Sequence, residues 1–205
     1  MQAFDEVAGV ALPLERSDVD TDTIIPARWL VTVTRRGLGE GLFGIWRYDG
    51  AGRPRADFVL NQPAYRNACI IVAGANYGCG SSREHAVWAH LDYGVRAVIA
   101  PSFGPIFHEN SLNNGLLPVE LPAAQVATLL QQLQQRPGAH CRVSLRTMEV
   151  TGPDGSVYGF RIDPARRTAL LEGLDDIGMS ARKLDAIEAF QARQLQAMPW
   201  LRPAP

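Results

Sequence analysis

Cysteine is scarce in this chain. There are three in 205 residues, Cys69, Cys79 and Cys141, an odd number, widely spaced and without a Cys-x-x-Cys pair. That excludes a disulfide framework and any self-contained zinc or iron–sulfur site of the usual spacing. An excess of charge of one sign is also lacking: Lys+Arg total 20 and Asp+Glu 21, a formal charge of -1. No overall basic field exists to hold nucleic acid or an anionic membrane. No apolar run approaches the roughly 20 residues of a membrane span. Residues 1–10 carry Asp5 and Glu6 where a secretory signal would have a basic segment followed by an apolar one, so the expected location is the cytoplasm. Repeats and low-complexity linkers are absent. At about 150 residues per domain, the whole chain, 1–205, is expected to be one domain with a real core. Its 46% hydrophobic and 20% charged residues argue against disorder or a coiled coil.

What is there is unevenly distributed. Residues 1–27 hold six acidic side chains against Arg16, whereas residues 28–55 hold six arginines against Glu40 and Asp49. The second segment is also dense in glycine, which predicts a long mobile substrate loop over about 28–55. Residues 7–14 are strand-like. Cys69-Ile70-Ile71-Val72-Ala73 is a short β-branched apolar run of the kind buried on both faces. A glycine-rich turn, a helix from Arg83 to about Asp92 and a second buried strand at 96–100 complete a βαβ unit. Further on, the pattern predicts a helix over 104–113 stopped by Asn113-Asn114-Gly115, a strand over 116–121 and a helix over 122–135. It then predicts a hairpin of 141–150 with 156–162, helices near 164–172 and 180–194, and a frayed tail. The fold class is α/β with a mixed sheet.

The densest chemical signal is Tyr77-Gly78-Cys79-Gly80-Ser81-Ser82-Arg83-Glu84-His85. A glycine-rich turn between a buried strand and a helix lets the backbone approach a ligand and points free N–H groups at an anion. Arg83 adds a bidentate donor suited to a carboxylate, so the expected ligand is a small acid. Ser81-x-x-Glu84 is equally a capping box, although a cap needs one hydroxyl and this turn has two plus a guanidinium. The turn is neither a Walker loop nor a dinucleotide fingerprint. Asp18, Asp20 and Asp22 alternate, yet lack the glycine and distal glutamate of a calcium loop, so a solvated turn competes with a cation site. His85, His90 and His108 fall on helices without metal spacing. Cys79 is either a thiol activated by the following helix or a small side chain in a tight turn.

Taken in order, these motifs carry a resemblance. They are Asp20-Thr21-Asp22-x-Ile24-Ile25-Pro26, Gly78-x-Gly80-Ser81-Ser82-Arg83-Glu84-His85-Ala86, Pro101-Ser102-Phe103-x-x-Ile106-Phe107, Asn113-Asn114-Gly115-Leu116-Leu117-Pro118 and Gly173-Leu174-Asp175-Asp176-Ile177-Gly178. From about residue 10 to 194 the chain resembles the swivel domain of the aconitase superfamily, and within it the small-subunit family of bacterial 3-isopropylmalate dehydratase. The resemblance implies a three-layer swivel-like domain with flanking helices. It also implies a heterodimer with a separate large subunit that holds a [4Fe-4S] cluster, with no cofactor or metal in this chain. The reaction implied is dehydration and rehydration of a malate-type substrate, interconverting 2- and 3-isopropylmalate in leucine biosynthesis. Position by position, Ser81 is expected to be the base, Ser82 and Arg83 to hold a substrate carboxylate, and Thr21 and Asp22 to line the cavity. The segment Trp29-Leu30-Val31-Thr32 is expected to set specificity, being apolar where relatives acting on tricarboxylates place an arginine. A related hydro-lyase acting on 2-methylmalate or homoaconitate, and a stand-alone anion-binding module, are the alternatives.

Overall fold

The computed structural model describes residues 1–31 and 34–201. Seven strands form one sheet in the order β4-β3-β2-β1-β5-β6-β7. Four of them, β1 (Glu6–Leu14), β2 (Ile70–Ala73), β3 (Ala97–Ala100) and β4 (Leu117–Glu120), run parallel. The other three, β5 (His140–Ser144), β6 (Glu149–Thr151) and β7 (Val157–Gly159), continue antiparallel from β1. The stretch expected as one strand of a hairpin, 141–150, is itself a hairpin, because the turn at 145–148 reverses the chain between β5 and β6.

The uninterrupted apolar runs are explained by helices on both faces. Along β2, Ile71 and Ala73 join Leu12 and Leu14 on one side, while Ile70 and Val72 join Ala11 on the other. The first side is covered by α3 (Glu84–Tyr93), with the short helices α1 (Thr21–Ile24) and α2 (Gly44–Arg47). The second is covered by α5 (Ala123–Gln135), whose Val126, Leu129 and Leu133 are buried at helical spacing. The helix α4 (Pro105–Asn114) begins at a proline suited to the first helical position and ends at Gly115, whose φ of 87° only glycine adopts freely. Three helices close the described chain: α6 (Pro164–Glu172), capped by the Asp163 carboxylate, α7 (Asp176–Ala181) and α8 (Leu184–Ala197), which buries no residue.

The glycine-rich segment is packed over part of its length. Residues 38–47 are a packed wall, with Leu38, Leu42 and Phe43 fully buried. A side chain on Gly39 would come within 2.6 Å of the Tyr93 backbone nitrogen. Glycine there permits close packing on α3; it does not signal mobility. Arg47 is fixed as well, donating to the carbonyls of Gly39 and Glu40 at 3.1 and 3.2 Å, and Arg53 and Arg55 pair with Asp49 and Asp57. Of the expected specificity segment, Thr32 lies outside the described residues, as does residue 33, and the tail from 202 onward does too.

Candidate active site

The loops leaving β1, β2 and β3 are joined to one another beyond the carboxyl ends of the strands, the edge where α/β sheets bind ligands. Gly74 N–H donates to the Arg16 carbonyl (2.9 Å), Asp18 N–H to Ala75 (2.9 Å), Gly78 N–H to Val19 (2.7 Å) and Thr21 N–H to Cys79 (2.9 Å). On the other flank Tyr77 N–H donates to Ser102 and Gly104 N–H to Tyr77, at 3.0 and 2.8 Å. The turn is thus a third layer of backbone hydrogen bonds above the sheet. Gly78 is obligatory in it: its φ is 74°, and a side chain would collide with the Phe107 ring at 2.2 Å.

A buried brace lies beneath the turn. Tyr77 and His90 are fully buried, with the Tyr77 hydroxyl 2.7 Å from His90 Nε2 and His90 Nδ1 2.7 Å from the Ala86 carbonyl. A carbonyl only accepts, so Nδ1 carries the proton and Nε2 accepts from the tyrosine. Burial, partly opposed by the bond to the Ala86 carbonyl, lowers the His90 pKa to about 4 and raises that of Tyr77. The imidazole is therefore neutral at pH 7 and serves as structure.

On this base two distant segments meet. Thr21, buried at the start of α1, places Oγ1 2.8 Å from Ser81 Oγ and 3.2 Å from the Ser81 carbonyl, across 60 residues of sequence. Arg83 forms a charged hydrogen bond with Asp22. Ser81 and Ser82 are exposed, and the Arg83 side chain is 27% accessible. A cavity of about 350 Å³ lies along the same turn, lined by Asn76, Gly78, Cys79, Gly80, Gly104, Pro105 and Ile106; none of Thr21, Asp22, Ser81, Ser82 and Arg83 lines it. The face offers hydroxyls, a guanidinium whose one hydrogen bond among the described residues is to Asp22, and an apolar wall.

Several alternatives are resolved. The capping box does not form: α3 starts at Glu84, its cap position is Arg83 with no side-chain cap bond, and Glu84 instead accepts from Asn114. The three aspartates diverge into separate duties. Asp18 accepts from Asn76 Nδ2 at 2.7 Å, Asp20 caps α1 by accepting from Thr23 N–H at 2.6 Å, and Asp22 pairs with Arg83. Among the described residues no cluster of three His, Cys, Asp or Glu is placed for a metal ion. Burial first, then Asp20 and Asp18, push the Cys79 thiol up, the opposite of activation. Trp29 and Leu30 are half-buried in a 3-10 turn after Pro26, and Val31 is 90% exposed. Tyr77, His90 and Asn114 were missed from sequence; no local spacing marks a residue whose partner comes from another element.

Residues 1–124 match the aconitase C-terminal domain family, residues 127–164 a family described as LeuD_N, and residues 176–204 the C-terminal domain family of the 3-isopropylmalate dehydratase small subunit. A 3-isopropylmalate dehydratase small subunit 1 of Bordetella pertussis is 59% identical over 98% of this chain and 100% of its own length. The chain belongs to the 3-isopropylmalate dehydratase small-subunit family. A second member of that family, from Afipia carboxidovorans, is 51% identical over the same shares. The crystal structure of 3-isopropylmalate dehydratase from Methanocaldococcus jannaschii superposes with a TM-score of 0.66 at 29% identity, over 90% of this chain and 99% of that one. Membership makes this a hydro-lyase small subunit of leucine biosynthesis, built on the aconitase swivel fold. The site loops all lie in the part matched by the aconitase C-terminal domain family. Among the described residues no helix is long and apolar enough to cross a membrane.

Proposed function

We propose that this chain works as one half of a heterodimer in the cytoplasm, closing over a large subunit to interconvert 2-isopropylmalate and 3-isopropylmalate. Ser81 exchanges the proton on the carbon alpha to a carboxylate, and Ser82 and Arg83 hold a carboxylate. Thr21 and Asp22 line the substrate cavity that forms with the large subunit, and the apolar segment from Trp29 to Thr32 receives the isopropyl group. The forward half-reaction removes that proton and the neighbouring hydroxyl as water; the return half-reaction adds water across the same double bond in the other sense. The observation that carries this reading is the pairing of Thr21 with Ser81 and of Asp22 with Arg83, which brings four of the proposed residues together across about 60 positions of sequence.

A [4Fe-4S] cluster belongs in this reading to the large subunit. Among the described residues the three cysteines are not gathered with one another, or with His, Asp or Glu, into a group of three that could hold one. What these residues do is bind and move a proton. A serine hydroxyl is a poor base at pH 7, and each unit of pKa lowering needs about 1.4 kcal/mol. A helix N-terminus supplies at most ~2 kcal/mol and fades beyond the first turn, and α3 starts three residues after Ser81. Thr21 supplies a further donor: when its hydroxyl turns from the Ser81 carbonyl to Ser81 Oγ, it stabilises the alkoxide. The remainder must come from fixed dipoles in a cavity closed by the partner. Arg83 spends one of its five N–H groups on Asp22, which orients the fork and leaves donors for a bidentate carboxylate.

Anaerobic reconstitution with the large subunit, following the unsaturated acid formed from 2-isopropylmalate and from 2-methylmalate, tests the reading. Turnover by the complex but not by the pure, iron-free chain is expected. Activity of this chain alone, or faster reaction of 2-methylmalate, would reject it.

A further inference from the structure

We propose that Asn114 is a positioning residue for the reaction: its one carboxamide ties the carboxylate-binding turn and the specificity segment to the same helix. The run Asn113-Asn114-Gly115 reads in sequence as a helix stop, but Gly115 alone supplies the stop, its N–H donating to the Ser111 carbonyl at 3.0 Å. Asn114 is 7% exposed and faces α3. Its Oδ1 accepts from the Trp88 indole N–H at 3.0 Å. Its Nδ2 donates to Glu84 Oε1 at 2.7 Å and to the Asn110 carbonyl at 2.9 Å. An indole N–H only donates, and a carboxylate and a carbonyl only accept, so the amide is held in one orientation with both donors used.

The two branches lead to different parts of the proposed site. Glu84 opens α3 and directly follows Arg83, so fixing Glu84 fixes the direction in which the guanidinium leaves the backbone. Trp88, one helical turn on, carries the Arg35 guanidinium over its ring at 4.9 Å, with the His85 ring 4.6 Å away on the same side chain. Arg35 lies three residues beyond the proposed specificity segment of Trp29 to Thr32. A cation over an indole face is a directional contact, and it sets Arg35 against α3. Moving the carboxamide therefore displaces both the group that holds the substrate's charge and the segment that meets its alkyl group.

This inference rests on the function proposed above. In the reconstituted complex, Asn114→Asp keeps an acceptor for Trp88 but sets a carboxylate against Glu84. The expected result is a KM about tenfold higher for 2-isopropylmalate and 2-methylmalate alike, with kcat within about threefold, since a hydrogen bond to a charged group is lost. Trp88→Phe spares Glu84 and weakens the hold on Arg35. The expected result is a fall of about two- to fivefold in the preference for the isopropyl over the methyl substrate, with KM for the methyl substrate unchanged. If Asn114→Asp does not fold, Glu84→Ala and Arg35→Ala, at half-buried and exposed positions, must show the same division between KM and preference. Wild-type KM and preference in variants that fold, or a uniform loss of kcat in all of them, overturns the proposal. A wild-type complex without isomerase activity rejects the proposed function instead. In that event the free chain still decides the contact: the Trp88 indole proton exchanges slowly, and Asn114→Leu must release it.

Discussion

Two stretches of irregular chain flank the proposed site and are held in opposite ways. The loops after β1, β2 and β3 are bound to one another by six backbone hydrogen bonds between Arg16 and Gly104, over a buried Tyr77–His90 brace. Among the described residues of 28–37, Trp29 and Leu30 pack against the core, the Arg35 guanidinium lies over the Trp88 ring and Val31 is 90% exposed. Backbone bonds hold position whatever side chain is attached. A segment held through side chains can instead change its exposed residues, and with them its ligand, at little structural cost. The proposed reacting groups sit on the first kind of chain and the proposed specificity groups on the second.

The largest expected effect falls on the bound loops. Ser81→Ala should lower kcat of the reconstituted complex by about 10²–10⁴, the range for a positioned acid–base group, with an unchanged melting temperature of the small subunit. Retained kcat would remove Ser81 from the chemistry. Next, Arg83→Lys keeps the charge and loses the fork, and a lost charge-assisted hydrogen bond of about 1.5–3 kcal/mol should raise KM by about ten- to a hundredfold. The brace should be visible as a pH effect. His90 has a folded pKa of about 4 against an ordinary 6.5, so the unfolded chain binds the extra proton first. The neutral imidazole's contribution is fully present above pH 6.5. It is lost as the pH falls towards 4, at a cost of about 3 kcal/mol by linkage. Denaturant titrations of wild type and His90→Gln between pH 7 and 4 should converge; parallel curves would mean that His90 is not held neutral. The smallest effect belongs to the loosely held segment. Val31→Arg should leave stability unaltered and shift preference towards a tricarboxylate by about 1–3 kcal/mol, the scale on which one pocket group discriminates. No shift would detach the segment from specificity.

The buried strands, the βαβ unit and the glycine-rich turn were legible because their signals are local: β-branched runs, a helix of the right length, glycines before a helix. The packing of Leu38, Leu42 and Phe43 was not, because glycine beside apolar residues looks the same whether it loosens a loop or admits a neighbouring helix, and only the Tyr93 backbone at 2.6 Å from a side chain on Gly39 distinguishes them. The capping box failed for a related reason. Ser81 and Glu84 have the spacing, but Thr21 and Asn114, from other elements, take up their polar atoms.

The ordered motifs were enough to determine the class of chain and its family, since each is written in residue types and short spacings. Which of the motif residues touch is a matter of strand register and loop packing. Thr21 meets Ser81, Asp22 meets Arg83, and Asn114 reaches both Glu84 and Trp88 because parallel strands carry their loops to one edge. That was decided only by the tertiary structure.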